Sequence, residues 1–600
     1  MTTNLKNVFE ASNARDFTSN QLVNEFIWTD SFSEILCSTK NQIVLGSRGS
    51  GKTALVKMLS HQNLRKLAKK NIDKADKKES ENIEEANRII QEKSLIATYI
   101  PLKVEWVNSL ENYENAKDKY FIWSLNLATC ARLIDTAKSC IEAYVENEVK
   151  GALIQRSICK SLSRMWILPR SINNFPELSR ELETLEYEKN LMFNKESMGL
   201  ELTNEEKSLG LAFHGNLFSP FTIATKQISR VLDIPTSCKW ILCLDEAEFL
   251  SKEHHQILNT HMRSANDIFF KITTMPYRHH TLSTTVEANV NVGHDLEYVY
   301  IDKLGTINKN QKTSDKTIQE FATKLFINRL RQFDNDNVKT LEGLVGHSRL
   351  TQDTNELITD DDLLVLIDNH CNKATNARAK KLYKENKKRF DDEIGRKNRG
   401  ILLLRDEYHN RIGSSNSSLY SGVAIIARCS DGNPRRLFRL FNHLLNSSSG
   451  ELSSILPATV QSKRIKSFSH SELEVIKFEK GGKSSFELIK AIGSYFKVKT
   501  LEEKLGSDLP QAISIQHSVD DRVWAAIKSA VDLGLLYPVV KKDSNERSLF
   551  PVKEGVFSLA NCLAPHFNLF PRVGRGVSIS TVMNSSKVIE QMELFENEEC

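Results

Sequence analysis

Four predominantly apolar runs stand out in the first half of the chain, at residues 42–45, 95–101, 240–244 and 268–272, and the third of them contains no polar residue. Runs without polar alternation are typical of parallel strands that are buried on both faces. Segments with helical spacing of apolar residues separate them, including 54–59 after the first run and 252–263 after the third. This order predicts an α/β fold with a parallel sheet at its centre.

The last part of the chain shows a different pattern. Amphipathic helices are predicted at 486–492 and 522–533, and two apolar runs, 535–540 and 548–552, flank the polar stretch 541–547. Two such runs around a polar stretch are typical of a β-hairpin. Helices followed by a hairpin with a basic tip predict a winged-helix-like domain. Such a domain places a helix in a DNA groove, or it docks a protein.

Composition narrows the class of protein. The 600 residues are 40% hydrophobic and 26% charged, with a net charge of +5, which is too small to indicate nucleic-acid binding by itself. The ten cysteines form no C-x-x-C pair and no zinc-type spacing. No apolar stretch approaches the ~18 residues of a membrane span, and the first residues show no signal peptide. We therefore expect a cytoplasmic protein with reduced thiols and no membrane contact.

The most specific motif is a phosphate-binding loop, Gly46-Ser47-Arg48-Gly49-Ser50-Gly51-Lys52-Thr53, between a predicted strand and a predicted helix. Its glycines let successive N–H groups point at an anion, and the following helix adds its positive end. Lys52 would reach the β- and γ-phosphates, and Thr53 would hold Mg²⁺. A chance glycine-rich turn is the alternative. Since the chain has no Asn-Lys-x-Asp motif for guanine, we expect ATP and Mg²⁺ as the ligands.

The third apolar run ends in Asp245-Glu246. Ligands of open α/β sheets bind at the carboxyl ends of the strands. We assign Asp245 to the metal ion and Glu246 to the water that attacks the γ-phosphate. The alternative is a helix N-terminus whose dipole the acidic residues stabilise.

Two further features fit the same site. The fourth run ends in Thr273-Thr274, about one βα unit after Asp245, so either hydroxyl would lie beside the γ-phosphate, although β-branched pairs often end strands. Gly432-Asn433-Pro434 predicts the start of a helix whose first turn carries Arg435 and Arg436. A helical hairpin with solvated arginines is the alternative for that segment.

In this order, the motifs resemble the AAA+ ATPases, and more narrowly their origin-recognition-like group with bacterial members; residues 13–17 and 272–276 are also similar to those proteins. The resemblance implies roles for the residues above: Walker A for Lys52 and Thr53, Walker B for Asp245 and Glu246, sensor 1 for Thr273 or Thr274, and sensor 2 on a helical lid for Arg435. It also implies a homo-oligomer in which a neighbour's arginine completes the site. Arg263 and Arg278 are the candidates for that arginine.

The resemblance and the pattern together predict four regions. These are a P-loop (AAA+-like) parallel sheet core with large helical insertions near 60–94 and 107–220 (1–305), a helical lid with a basic insertion near 373–399 (306–450), a winged-helix-like domain (460–580) and an acidic tail (581–600). The insertions are required because the chain between Lys52 and Asp245 is more than twice as long as two or three βα units of ~30 residues.

Candidate partners follow from charge. Segment 373–399 carries eleven Lys or Arg against four acids, enough to neutralise several phosphates of double-stranded DNA, although a solvated charged helix is favoured. The winged-helix-like domain is the second candidate for DNA, and a protein partner is the alternative to both. We interpret the chain as an ATP-binding and ATP-hydrolysing switch or motor, in bacterial replication, transposition or phage defence. The alternative is a nucleotide-gated scaffold or regulatory protein with negligible turnover.

Overall fold

The structure is a computed structural model, which describes residues 8–9, 14–70, 77–104, 106, 117–168, 171–265, 267–286, 288–302, 311–331, 340–348, 350–351, 359–410, 417–445, 455–506, 509–539 and 553–585. These residues form two compact units. The core unit contains the described residues of Ala14–Leu45 and Lys52–Tyr300. The C-terminal unit contains those of Met1–Asn13, Gly46–Gly51 and Ile301–Cys600.

The core unit is built on a five-stranded sheet. Its strands are β1 Asn41–Leu45, β2 Leu95–Pro101, β3 Lys239–Asp245, β4 Ile268–Thr274 and β5 Leu296–Tyr300. They lie in the order β2-β3-β4-β1-β5, and every neighbouring pair is parallel. Strand β1 is buried along its whole length, and β3 is buried from Trp240 onward, as expected for strands covered on both faces. The predicted α/β fold with a parallel sheet is confirmed.

The core helices cover this sheet. They are α1 Ser19–Glu25, α2 Asp30–Cys37, α3 Lys52–Leu59, α4 His61–Ala68, α5 Lys77–Gln91, α6 Lys117–Tyr144, α7 Glu148–Met165, α8 Phe175–Ser197, α9 Asn204–Ser208, α10 Ser219–Val231 and α11 Lys252–Ser264. Six of them begin after a residue whose side-chain oxygen accepts an N–H of the first turn, which fixes where each helix starts (Thr18, Thr29, Asn147, Asn174, Thr203 and Ser251).

The helices α6, α7, α8 and α10 share one hydrophobic cluster with strands β2 and β3. Trp123 and Trp166 are fully buried in it, and each satisfies its indole N–H with a backbone carbonyl, of Gly210 and Pro220 respectively, at 3.2 Å. The long segment between β2 and β3 is therefore packed onto the sheet rather than extended away from it.

The C-terminal unit is mainly helical. Its helices are α12 Gln311–Arg331, α13 Leu341–Val345, α14 Asp360–His370, α15 Lys373–Glu385, α16 Lys387–Phe390, α17 Arg396–Asn410, α18 Val423–Cys429, α19 Pro434–Leu445, α20 Ala458–Glu474, α21 Gly482–Lys497, α22 Asp521–Asp532 and α23 Ile579–Ser585. None of the helices among the described residues of either unit is long and apolar enough to cross a bilayer.

A four-stranded sheet completes this unit, with strands β6 Pro510–Ile515, β7 Leu536–Pro538, β8 Gly555–Leu559 and β9 Arg575–Ser578. Strands β7 and β8 pair antiparallel, β6 joins the other edge of β8, and β9 runs parallel to β6. The predicted second hairpin strand, 548–552, and the basic tip, 541–547, lie outside the described residues, as does the predicted tail after 585. In the described residues, β7 pairs with Gly555–Leu559.

Candidate functional site

The glycine-rich loop, Gly46–Gly51, follows β1 directly and ends where α3 begins at Lys52. Gly49 and Gly51 have positive φ angles of 81° and 97°, which residues with a side chain rarely adopt. A Cβ on Gly49 would lie 2.8 Å from Cβ of Arg435, so that position requires glycine for space as well as for conformation. The loop has the curled backbone that the motif predicts.

Arg435, the predicted sensor 2 residue, lies against this loop. Its backbone N–H points to the Gly49 carbonyl at 3.4 Å, and burial together with the positive charge of Arg48 lowers the pKa of its guanidinium. Glu479, which pairs with Arg48, partly offsets this effect on the pKa of Arg435. Arg435 therefore places a positive charge next to a phosphate-type loop, which is favourable for binding an anion.

Arg436, the next residue of α19, has a different environment. Its guanidinium is buried and bonds the carboxylates of Asp431 and Glu472, the Tyr537 hydroxyl and the Gly534 carbonyl. These contacts tie α19 to the segments around α20 and β7. Residue spacing alone did not separate the two arginines, and the resemblance selected Arg435; in the structure Arg435 lies against the loop, and Arg436 is bonded within the fold.

The carboxyl end of β3 carries a second group of polar residues in the core unit. Asp245 is fully buried, and its two carboxylate oxygens accept hydrogen bonds from the hydroxyls of Thr273, at 2.5 Å, and Tyr99, at 2.9 Å. Burial and the Asp245 charge raise the pKa of Tyr99, so the phenol remains a donor. These two hydroxyls fix the orientation of the Asp245 carboxylate.

Glu246 follows in a left-handed backbone conformation with φ 65°, uncommon for a residue with a side chain. Its N–H donates to Oγ1 of Thr273 at 3.0 Å, and its carboxylate forms an ion pair with Arg15. Thr273 therefore contacts both residues of the acidic pair. Thr274 does not: its hydroxyl is buried and has no hydrogen-bond partner among the described residues.

Lys52 lies in the first turn of α3, which packs against β2, β3 and β4. Lys52 is only 7% exposed, and Thr53 beside it is half-buried. Burial raises the pKa of another carboxyl in this unit, that of Glu248. The positive charge of Lys52 offsets part of that rise, and the negative charge of Asp245 adds to it. Glu248 lies in the short 3₁₀ turn Ala247–Phe249 that follows the acidic pair. The predicted Walker A lysine and Walker B aspartate thus share one electrostatic environment.

Sequence reasoning missed Tyr99, Arg15 and Glu248 as members of this group. Lys57 of α3 fixes the backbone around Arg15, because its ammonium group donates to the carbonyls of Ala14, Arg15 and Phe17 at distances of 2.9–3.1 Å. The resemblance over residues 13–17 and the Asp-Glu-x-Glu spacing were the signals available for Arg15 and Glu248. Tyr99 had no local signal, because it comes from a neighbouring strand.

The two candidates for an oligomer arginine are both engaged within the chain. Arg263 donates to the Asn289 carbonyl at 3.2 Å, and the positive charge of Arg278 offsets a small part of the rise that burial causes in the pKa of Glu248. Neither observation selects one of them for a neighbouring subunit.

The basic segment 373–399 is helical, and many of its charges are paired. Arg378 and Arg389 both contact Glu393, and Lys380 and Lys387 contact aspartates of α14. Its aromatic residues, Tyr383 and Phe390, pack on each other. These contacts favour the interpretation of a solvated charged helix.

The phosphate loop of the C-terminal unit and the core unit each carry residues of the kinds that ATP and Mg²⁺ require. The Ser50 hydroxyl is buried without a hydrogen-bond partner among the described residues, in a loop whose glycines leave room for no side chain at position 49. Lys52 supplies a buried cation, and Thr53 and Asp245 supply the oxygen donors that Mg²⁺ prefers.

The parallel sheet, with a glycine-rich loop between its β1 strand and the following helix, defines an α/β protein of the P-loop class. The sequence model of the ORC-CDC6-like family matches residues 7–579, and the chain therefore belongs to that family. The resemblance to origin-recognition-like AAA+ proteins is confirmed. Comparison with curated proteins returned no match.

Proposed function

We propose that this protein binds ATP with Mg²⁺ and hydrolyses it, and that the hydrolysis drives a switch or motor acting on DNA or on a protein partner. Family membership supports the AAA+ class. The observation that carries the proposal is the arrangement in the core unit. Lys52 is buried in the first turn of α3, which packs against β3, and Thr273 joins Asp245, at the end of β3, to Glu246 by two hydrogen bonds.

In this proposal each residue has one task. The later amides of the phosphate loop and Lys52 would bind the phosphates, and Thr53 and Asp245 would hold Mg²⁺, which would neutralise phosphate charge. Thr273 and Tyr99 keep Asp245 oriented. Glu246 accepts a hydrogen bond from the attacking water and aligns it in line with the γ-phosphate. Arg435 adds positive charge next to the loop. Positioning and electrostatic stabilisation account for most catalysis of this type.

One observation favours a second candidate, a nucleotide-gated scaffold with negligible turnover. The Glu246 carboxylate is engaged by Arg15, so a water-orienting group is held by a cation in this structure. A carboxylate paired in this way is a weaker hydrogen-bond acceptor for water.

Substitution of Glu246 by Gln distinguishes the two candidates. If Glu246 orients water, Glu246→Gln lowers the ATPase rate by at least about tenfold while ATP still binds. An ATPase rate equal to that of the wild type would remove Glu246 from the mechanism. Wild-type protein that binds ATP but shows no turnover would establish the scaffold.

The partner is tested by ATP turnover with and without double-stranded DNA across a salt series. Stimulation at low salt that disappears at high salt supports DNA, because phosphate contacts release counterions. A flat response supports a protein partner. We propose bacterial replication, transposition or phage defence as the process in which the protein acts. We also propose that it is cytoplasmic and forms a homo-oligomer.

A further inference from the structure

The first half of the phosphate loop is anchored by residues far away in sequence but within the C-terminal unit. Arg48 makes three of these contacts. Its N–H donates to the carbonyl of Asp532, the last residue of α22, at 2.9 Å. Its carbonyl accepts from Asn433 at 3.0 Å, and its guanidinium forms an ion pair with Glu479, in the turn between α20 and α21.

Ser47 is also anchored by a residue of the C-terminal unit. Its N–H and its hydroxyl both donate to the carboxylate of Asp302, at 2.7 and 2.8 Å. Gly534, just after α22, has a φ of 72°, and a Cβ there would lie 2.9 Å from the Ser47 hydroxyl. The backbone that follows α22 therefore lies in close contact with the loop.

These contacts divide the loop into two parts. The N–H groups of Ser47 and Arg48 are used by Asp302 and by the Asp532 carbonyl. The amides that face an anion therefore come later in the loop, toward α3. A phosphate loop binds tightly only if those amides are already held in the right orientation, because ordering them on binding would cost free energy. Anchoring of the first half supplies that order.

We propose that Glu479 and Arg48 are positioning residues for ATP. Through their ion pair, the C-terminal domain (458–585) holds the phosphate loop in its binding conformation, and this domain is thus a structural part of the nucleotide site. This inference rests on the proposed function, since it concerns the same loop. Glu479 lies outside the predicted core and lid, and the inference makes it a determinant of ATP affinity.

Reversal of the charge at Glu479 separates positioning from simple electrostatics. Glu479→Arg adds positive charge near the loop, which alone would tighten binding of a triphosphate. If Glu479 positions the loop, the substitution instead weakens ATP binding by about tenfold, because Arg48 loses its partner and is repelled. Mg²⁺-ATP affinity is measured by calorimetry on the full chain. Unchanged or tighter binding would overturn the proposal.

The double variant Arg48→Glu with Glu479→Arg provides the rescue. It restores the ion pair with reversed polarity, and ATP affinity should recover toward that of the wild type, whereas Arg48→Glu alone should be weak. A double variant no better than the weaker single variant would contradict the proposal. The matched control is Glu474→Arg, which makes the same charge change at an exposed residue paired with Lys477 and should leave ATP affinity unchanged.

A milder cycle applies if the charge reversals unfold the protein. Arg48→Ala and Glu479→Gln should each weaken ATP binding, and the double variant should lose less than the sum of the two; additive losses would contradict the pairing. Failure of this inference is distinguishable from failure of the proposed function. In the first case wild-type protein binds ATP and the Glu479 variants bind equally well. In the second, wild-type protein does not bind ATP.

Discussion

The buried guanidinium of Arg436 yields the most quantitative prediction. Arg436 is 6% exposed at its side chain, and its two acidic partners, Asp431 and Glu472, are 0% and 7% exposed. Substitution by methionine keeps the aliphatic volume but removes the cation and its bonds to the Tyr537 hydroxyl and the Gly534 carbonyl. Removal of one partner from a buried ion pair costs about 3–5 kcal/mol.

The remaining contacts place Arg436→Met at the lower end of that range. Asp431 still accepts from the N–H groups of Asn561 and Cys562, at 2.8 and 3.1 Å, and Glu472 still pairs with Arg439 at 2.6 Å. We therefore expect a loss of about 3 kcal/mol, which corresponds to exchange of protected amides that is on the order of 100-fold faster.

Hydrogen exchange followed by mass spectrometry measures this loss locally, on peptides that cover α22 and β7. The control is Arg439→Met, on the same helix and with the same charge change; Arg439 is 34% exposed, and Glu472 keeps its buried partner Arg436 when Arg439 is replaced, so this loss should be smaller. If Arg436→Met exchanges no faster than Arg439→Met, the guanidinium does not join α19 to the C-terminal domain as described.

Three further predictions concern the site and the core unit. Gly49→Ala should weaken ATP binding by about tenfold, because position 49 has a φ of 81° and no room for a Cβ; Gly199→Ala, with a φ of 70° and nothing within 4 Å, is the calorimetric control and should bind normally. Thr273→Val should lower the ATPase kcat by about tenfold or more, since it removes a hydrogen bond to a charged carboxylate, Asp245, whereas Thr273→Ser should retain activity. Burial lowers the pKa of His61 from 6.5 to about 3, so the unfolded chain takes up a proton that the folded one excludes. The free energy of unfolding should therefore fall as pH is lowered from 6.5 toward 3, and His61→Gln should flatten that pH dependence in urea titrations.

The strands of the parallel sheet were largely predictable, because a strand covered on both faces leaves a continuous apolar run. That run is complete in β3, and the runs of β1, β2 and β4 each contain one polar residue; the observed bounds lie within two residues of the predicted runs. β5 carries no such signal. Residues 296–300 lie at the edge of the sheet with Leu296 and Val299 buried and the other three half-buried, and a glutamate lies among them.

The candidate site was predictable where its residues are adjacent in sequence. The phosphate loop and Asp245-Glu246 are contiguous motifs whose chemistry depends on their own order of residues. Tyr99 and Arg15 meet the acidic pair only through the sheet order and through the contacts of Lys57 with the backbone of 14–17. Local spacing holds no information about such pairings.

The anchoring of the loop could not be predicted either. Glu479 and Asp532 are separated from Arg48 by more than 400 residues, and neither belongs to a motif. The position of Arg48 within the loop predicts a solvent-facing or phosphate-facing side chain equally well. Only the folded C-terminal unit shows that its partner is a carboxylate of the same chain.

The central claim is that this chain binds ATP through its phosphate loop and the lysine that follows it. Calorimetry with Mg²⁺-ATP on the full-length wild type and on Lys52→Ala tests it most directly. We expect saturable binding by the wild type, and a loss of binding in Lys52→Ala without a change in its thermal unfolding. Absence of ATP binding by the folded wild type, or equal binding by Lys52→Ala, would contradict the claim.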